Sequence, residues 1–352
     1  MSVWQQQPVA LQPMADAEEP TEEEDKRLYT FTLGGSFILD TSPEPEPIWG
    51  TASDVLMAEG EALIIAGGQG LGKTTLAQQL TLGRAGVAEY AELLGYPIQP
   101  GSGRVLYLAM DRPRQAARSF RRMVGEVMRD ELDERLVIWQ GPPPRDMAKH
   151  PALLLRMCQE AGADTAVIDS LKDAAVGLSD DEVGASYNRA RQTAVAAGVQ
   201  LIELHHNRKA ISGAKGDRLG VDDLYGSTWI PSGAGSVLLL SGAPGDPIVG
   251  LHHVKQPSAE VGPFKVIHDH AAGRSQVWHA TDLVLLAGQP NGITSLDAAS
   301  ALFETEKPTP AERQKALRKL NRLADLGHVL KVSGDQGAGV PDRFVRAGVR
   351  AA

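Results

Sequence analysis

The chain has 352 residues, 42% of them hydrophobic and 22% charged, with a formal net charge of −9. That length accommodates two domains and a tail; the single Cys158 excludes an internal disulfide, and no apolar run approaches the roughly 18 residues that a membrane-spanning helix needs. Residues 1–50 hold ten acidic residues against Lys26 and Arg27, so −8 of the total belongs to them and the acidity does not argue against a nucleic-acid partner for the rest.

Residues 1–27 are polar and acidic without an apolar period and are expected to be disordered. Their pattern is not that of a secretion signal, and a lone cysteine suits a reducing compartment, so the expectation is a cytoplasmic protein without a membrane partner. Leu28–Leu33 and Ser36–Leu39 flank Gly34-Gly35 and suggest a hairpin, and Pro43 to Pro47 reads as a linker, closing a first region at 1–47. From Glu61 onward short β-rich runs alternate with helical stretches. The runs are Leu63–Ala66, Arg104–Ala109, Leu136–Trp139, Thr165–Ile168, Gln200–Leu204, Ser236–Leu240 and Ile248–Val254, with helices such as Pro113–Asp130 and Pro151–Ala161 between them. Continuous apolarity is expected of parallel strands covered on both faces, and the alternation argues for an α/β domain over residues 48–280. Phe264–Ile267 and Ser275–Trp278 follow at short spacing and look like antiparallel strands added at an edge.

After about Ala280 the texture becomes helix, helix, hairpin, marking a third region at 281–352. Ser295–Phe303 reads as a short helix. Thr309-Pro310-Ala311-Glu312 is a capping box with proline at the first helical position. The helix it opens carries Ala316, Leu317, Leu320, Leu323 and Ala324 on one stripe, and Gly327 can end it. His328–Val332 and Arg343–Val345 complete a β-wing pattern.

The densest chemical signal is Gly67-Gly68-Gln69-Gly70-Leu71-Gly72-Lys73-Thr74-Thr75, preceded by the apolar run 62–66 and followed by a helical one. This is the G-x-x-x-x-G-K-[ST] phosphate loop in its strand–loop–helix context. Glycines let successive backbone N–H groups curl around a phosphate, and the helix adds its positive end. The expected ligand is ATP with Mg²⁺, Lys73 reaching the β- and γ-phosphates and Thr74 the metal. Asp169, ending the run 165–168, is the expected second metal-holding group; a plain helix cap is the competing reading. Asp111 follows the strand 104–109 and, in a parallel sheet, faces the same crevice, where it is expected to orient the attacking water. A salt bridge to Arg112 or Arg114 is its alternative.

The loop, an acid after the next strand, Asp169, and then Leu201-Ile202-Glu203-Leu204-His205-His206 resemble the RecA-like ATPases, and among them the plasmid-type RepA hexameric helicases. The resemblance spans about Ile48 to Trp278 and implies a RecA-like P-loop fold, a mostly parallel sheet with antiparallel edge strands. It implies that His205 or His206 senses the γ-phosphate, although two ordinary strand-end histidines remain an alternative. The family's acid at the place of Asp111 is usually glutamate. His252-His253-Val254-Lys255-Gln256-Pro257 resembles the end strand whose basic residues reach a neighbour's nucleotide; Lys255 matches, and Pro257 stands where arginine is common. A metal reading of His252-His253 and His268-Asp269-His270 lacks a recognised ligand spacing.

The basic stretch after the histidines carries Arg208, Lys209, Lys215 and Arg218, and the resemblance implies a loop lining a single-stranded DNA channel there; a solvated surface loop is the alternative. Ser170-Leu171-Lys172-Asp173 opens a second candidate loop. Residues 281–352 resemble a winged helix-turn-helix, with Arg313, Lys315, Arg318, Lys319 and Arg322 as candidate duplex contacts, yet ten Lys/Arg against eight Asp/Glu is a mild bias and a structural role stays open. The expectation is thus an oligomeric, ATP-hydrolysing, DNA-associated motor of the RepA type. A RecA-like regulatory or repair ATPase, an ATP-switched transcription regulator and a small-molecule kinase are the rivals.

Overall fold

Strands appear where the sequence is continuously apolar, because a run such as Leu63-Ile64-Ile65-Ala66 is stable only when both of its faces are covered. The computed structural model describes residues 32–208, 219–246, 248–278, 283–303, 305–334 and 340–347. Residues Met1–Glu44 and Pro45–Ala352 are separate units.

In the first unit Gly34–Leu39 is a helix, not the second arm of a hairpin. The Phe37 and Asp40 N–H groups donate to the Leu33 and Ser36 carbonyls, both at 2.9 Å. Three apolar residues in a row, Phe37-Ile38-Leu39, lack the period of two that a half-buried strand requires. The expected disordered segment 1–27 lies outside the described residues.

The second unit opens with the antiparallel pair β1 (Pro47–Gly50) and β2 (Val55–Ala58), then β3 (Leu63–Gly67) leads into the phosphate loop. A small pair, β4 (Glu92–Leu93) and β5 (Tyr96–Pro97), precedes β6 (Arg104–Ala109), β7 (Leu136–Gln140), β8 (Ala163–Asp169), β9 (Gln200–His205), β10 (Ser236–Ser241), β11 (Ile248–Lys255), β12 (Phe264–Asp269) and β13 (Arg274–Val277). The last eight and β3 form one sheet in the order β13-β12-β11-β10-β3-β9-β8-β6-β7. From β10 to β7 neighbours pair parallel; β11, β12 and β13 pair antiparallel at the β10 edge. The α/β class and the appended edge strands stand as the sequence implied.

One face of the sheet packs on the helix Lys73–Arg84 through Leu76 and Leu80; the other packs on Leu153–Ala161 and Asp181–Ala196 through Leu154, Met157, Tyr187 and Ala194. The expected helix over 113–130 is shorter: Pro113–Arg121, a turn, then Arg129–Arg135. The glycine at 125 has an extended backbone and divides them.

The C-terminal segment lies within the second unit. It runs from the short helix Leu283–Leu286 to helices Ser295–Leu302 and Pro310–Asp325, then the antiparallel pair β14 (Val329–Val332) and β15 (Arg343–Arg346). The capping box closes as expected: Thr309 Oγ1 accepts from the Glu312 N–H at 3.3 Å, and Glu312 accepts from the Thr309 N–H at 2.6 Å. Ala316 and Leu320 are buried against Ala298, Ala299 and Phe344.

Candidate nucleotide site and the surfaces around it

Parallel pairing delivers the chemistry to one edge of the sheet. Gly67 ends β3 opposite Leu240; Ala66 pairs with His205 and Ala109 with Asp169, so Asp111, Asp169, the histidine pair and the phosphate loop all leave the sheet at its C-terminal edge. The loop requires its glycines. At Gly67, φ is 154° and a Cβ would stand 2.9 Å from that of Leu240; at Gly72, φ is 85° and a Cβ would stand 2.2 Å from the His268 ring.

Lys73 begins the helix, and its Nζ donates to the Gly67 and Gly68 carbonyls at 2.8 and 2.6 Å. Burial lowers its pKa to about 8, against an opposing pull from Asp169. Thr74 Oγ1 lies 3.5 Å from Asp169 Oδ2, and the Tyr107 hydroxyl donates to the same oxygen at 2.6 Å. Burial raises the Asp169 pKa, while the bond from Tyr107, the charge of Lys73 and the bond from Thr74 pull it back. Both shifts disfavour the charged forms, and a triphosphate beside Lys73 with a cation beside Asp169 would oppose them. Tyr107 is the member of this cluster that the sequence reading missed; a single hydroxyl in the apolar strand Val105–Ala109 is the signal that points to it.

The donor set suits Mg²⁺. One hydroxyl and one carboxylate oxygen stand side by side, and among the described residues no group of three His, Cys, Asp or Glu gathers to hold a metal, so the remaining oxygens would come from phosphates and water.

Asp111 is exposed beyond β6 and pairs with Arg112 Nε at 3.0 Å, the alternative weighed for it; an exposed pair of neighbours constrains it little. His206 is half-buried, and the charges of Lys73, Lys172, Asp173 and Asp111 all act on it. Burial lowers its pKa, with Lys73 and Lys172 adding to the effect, so the ring is neutral at pH 7. His205 does not share that position. Strand alternation turns it, with Glu203, toward the layer behind the sheet, where its Nε2 bonds to the Tyr225 carbonyl and burial lowers its pKa to about 4. Of the two candidate sensors, only His206 belongs to the cleft. Glu203 is likewise structural: Arg191 Nη2 donates to it at 2.6 Å and the Tyr187 hydroxyl at 2.8 Å, with both charged side chains fully buried.

Lys255 lies away from Lys73. It pairs with Val237 near the N-terminal ends of the parallel strands, and its Nζ donates to the Pro231 and Ser232 carbonyls at 3.1 and 2.8 Å. The histidines of β11 and β12 bond to the sheet: His253 to Ser236 at 2.9 Å, His252 to Ser241 at 3.1 Å and His268 to Ser275 at 2.8 Å.

The candidate nucleic-acid residues divide. Arg208 is exposed, its Nη2 donating to the Gly226 carbonyl at 3.3 Å; Lys209, Lys215 and Arg218 lie outside the described residues. The second candidate loop is a short helix, Leu171–Ala174. On the helix Pro310–Asp325, Arg313 and Arg318 are exposed, but three of the five cations face inward. Lys315 bonds to Glu260 at 2.6 Å, Lys319 stands 5.4 Å over the Phe264 ring, and Arg322 pairs with Asp54 and lies 4.7 Å over Tyr96. Positions 315, 319 and 322 form one helical stripe, and that stripe meets Glu260, Phe264, Asp54 and Tyr96.

A mostly parallel sheet with a glycine-rich phosphate loop at its C-terminal edge, a lysine and a threonine opening the next helix, and a strand-terminal aspartate beside them define a RecA-like P-loop ATPase. Residues 27–212 match the sequence profile described as an AAA domain, and the chain belongs to that family. The KaiC-like protein PH0186 from the hyperthermophilic archaeon Pyrococcus horikoshii OT3 superposes with a TM-score of 0.44 at 18% identity, over 67% of this chain and all of that one. A second solved structure, described as an ATPase domain, superposes with a TM-score of 0.45 at 13% identity, over 62% of this chain and 85% of that one. No curated protein matches the chain significantly. Among the described residues no helix is long and apolar enough to cross a membrane.

Proposed function

We propose that this ATPase hydrolyses ATP in the service of DNA, as a motor of the RepA helicase type acting in an oligomer. The observation that carries the hydrolytic part is the placement of Thr74 and Asp169 3.5 Å apart beside Lys73, with Asp111 and His206 at the same edge of the sheet. Thr74 and Asp169 would hold Mg²⁺, which supplies charge neutralisation on the phosphates. Lys73 exchanges its two carbonyl acceptors for phosphate oxygens, Asp111 orients the water, and neutral His206 accepts or donates a hydrogen bond as the γ-phosphate comes and goes. The exposed Arg208 and the basic sequence after it support a single-stranded DNA contact next to that histidine.

The docked helix Pro310–Asp325 favours a second reading of the C-terminal segment, as a module that braces the ATPase instead of reading duplex DNA. It is compatible with a regulatory or repair ATPase that does not unwind. The test is ATP turnover with and without single-stranded DNA, in wild type and in Lys73→Ala and Asp111→Ala. Stimulation by DNA that both variants lose is the expected result. Turnover indifferent to any nucleic acid would overturn the DNA assignment, and strand-displacement assays separate a helicase from an ATPase that only binds.

A further inference from the structure

The phosphate loop is gripped from outside. His268, on β12, is 5% exposed; its Nε2 lies 3.1 Å from the Leu71 carbonyl oxygen and its Nδ1 2.8 Å from Ser275 Oγ on β13. A carbonyl only accepts, so Nε2 carries the proton and Nδ1 accepts from the serine hydroxyl. The Ser275 N–H donates to Gln79 Oε1 at 3.1 Å, and Gln79 Nε2 donates to the Thr75 carbonyl at 3.2 Å. A chain of hydrogen bonds therefore runs from the loop, through two edge strands, to the first turn of the helix that follows it.

The grip has a directional consequence. A carbonyl and the next residue's N–H point to opposite sides of one rigid trans peptide. Holding the Leu71 carbonyl toward β12 turns the Gly72 N–H to the opposite side, away from β12. The ring also occupies the space that a side chain at 72 would need. We infer that His268 is a positioning residue for nucleotide binding: it fixes the Leu71–Gly72 peptide so that the Gly72 N–H is preset to meet a phosphate oxygen, and Ser275 selects the tautomer that allows it. This rests on the reading of the loop as the nucleotide site.

Two measurements decide it. In imidazole ¹⁵N spectra of the wild-type protein, His268 is the Nε2–H tautomer; an Nδ1–H tautomer overturns the inference without any variant. The Kd of a non-hydrolysable ATP analogue with Mg²⁺ rises about tenfold in His268→Ala, the scale of one lost hydrogen bond. In His268→Gln, whose amide N–H reaches about as far as Nε2, it stays within about threefold of wild type. The KM for ATP follows the Kd while kcat changes little, because the contact serves ground and transition states alike. A wild-type Kd in His268→Ala, or a Gln variant as weak as the Ala one, overturns it. If His268→Ala does not fold, Ser275→Ala carries the test, with weaker binding expected and an unchanged Kd against. Lys73→Ala distinguishes the two levels. Loss of binding there with none in His268→Ala removes only this inference, whereas binding untouched by Lys73→Ala removes the nucleotide site itself.

Discussion

Lys73 is the residue on which most of the chemistry turns, and its environment makes a prediction about protons. Burial lowers its pKa from 10.5 to about 8, so near pH 8 about half of the ammonium groups have lost their proton. A triphosphate beside it favours the charged form and raises the pKa again, so binding at pH 8 takes up roughly half a proton per site, and affinity falls as pH rises above 8. Calorimetry in buffers of different ionisation enthalpy reads that number directly; zero uptake at pH 8 would refute it. At this scale the loop, Lys73, Thr74 and Asp169 were legible, because each is a residue type with a fixed spacing or a strand end. Tyr107 and the inward turn of His205 were not. A sequence shows that a hydroxyl or an imidazole is near, but not toward which face of the sheet it turns.

At the scale of elements, the helix Asp181–Ala196 is fastened to β9 by a buried ion pair with a tyrosine added to it. Removing one partner strands the other charge, so Arg191→Ala is expected to cost on the order of 3–5 kcal/mol, read as a lowered urea midpoint. Arg191→Met together with Glu203→Leu is expected to recover much of that, since an apolar pair strands nothing. The helix Pro310–Asp325 makes a prediction of its own. Lys315→Glu repels Glu260 and loosens the C-terminal segment against proteolysis, Glu260→Lys in the same chain restores protection, and neither change alters affinity for duplex DNA. A duplex affinity that falls with Lys315 would return that stripe to DNA. The capping box and the apolar stripe of this helix were readable because they are local. The partner of its cationic face was not, because lysines written for a phosphate backbone and lysines written for Glu260 and Phe264 look alike until the chain folds.

At the scale of the whole molecule, two buried histidines oppose acid. His205 and His253 are held to about 4 by burial, below the ordinary 6.5. The unfolded chain takes up protons between pH 6.5 and 4 that the native chain refuses, so stability falls as pH drops through that window and these groups have no effect above it. The loss of stability between pH 7.5 and 4.5 is expected to shrink by roughly 2 kcal/mol in His205→Gln, measured by urea unfolding at both pH values. The architecture itself was the most legible feature. Continuously apolar strands separated by helices leave little choice but a covered parallel sheet, whereas the strand order, with β9 between β3 and β8, follows from crossovers that no local pattern encodes. The resting place of Lys73, on the carbonyls of Gly67 and Gly68, bears on how the empty site waits. Without a phosphate beside it, the amine has two main-chain acceptors and is not marooned in a dry crevice. A receptor that holds its own lysine in this way would need no rebuilding before an anion arrives.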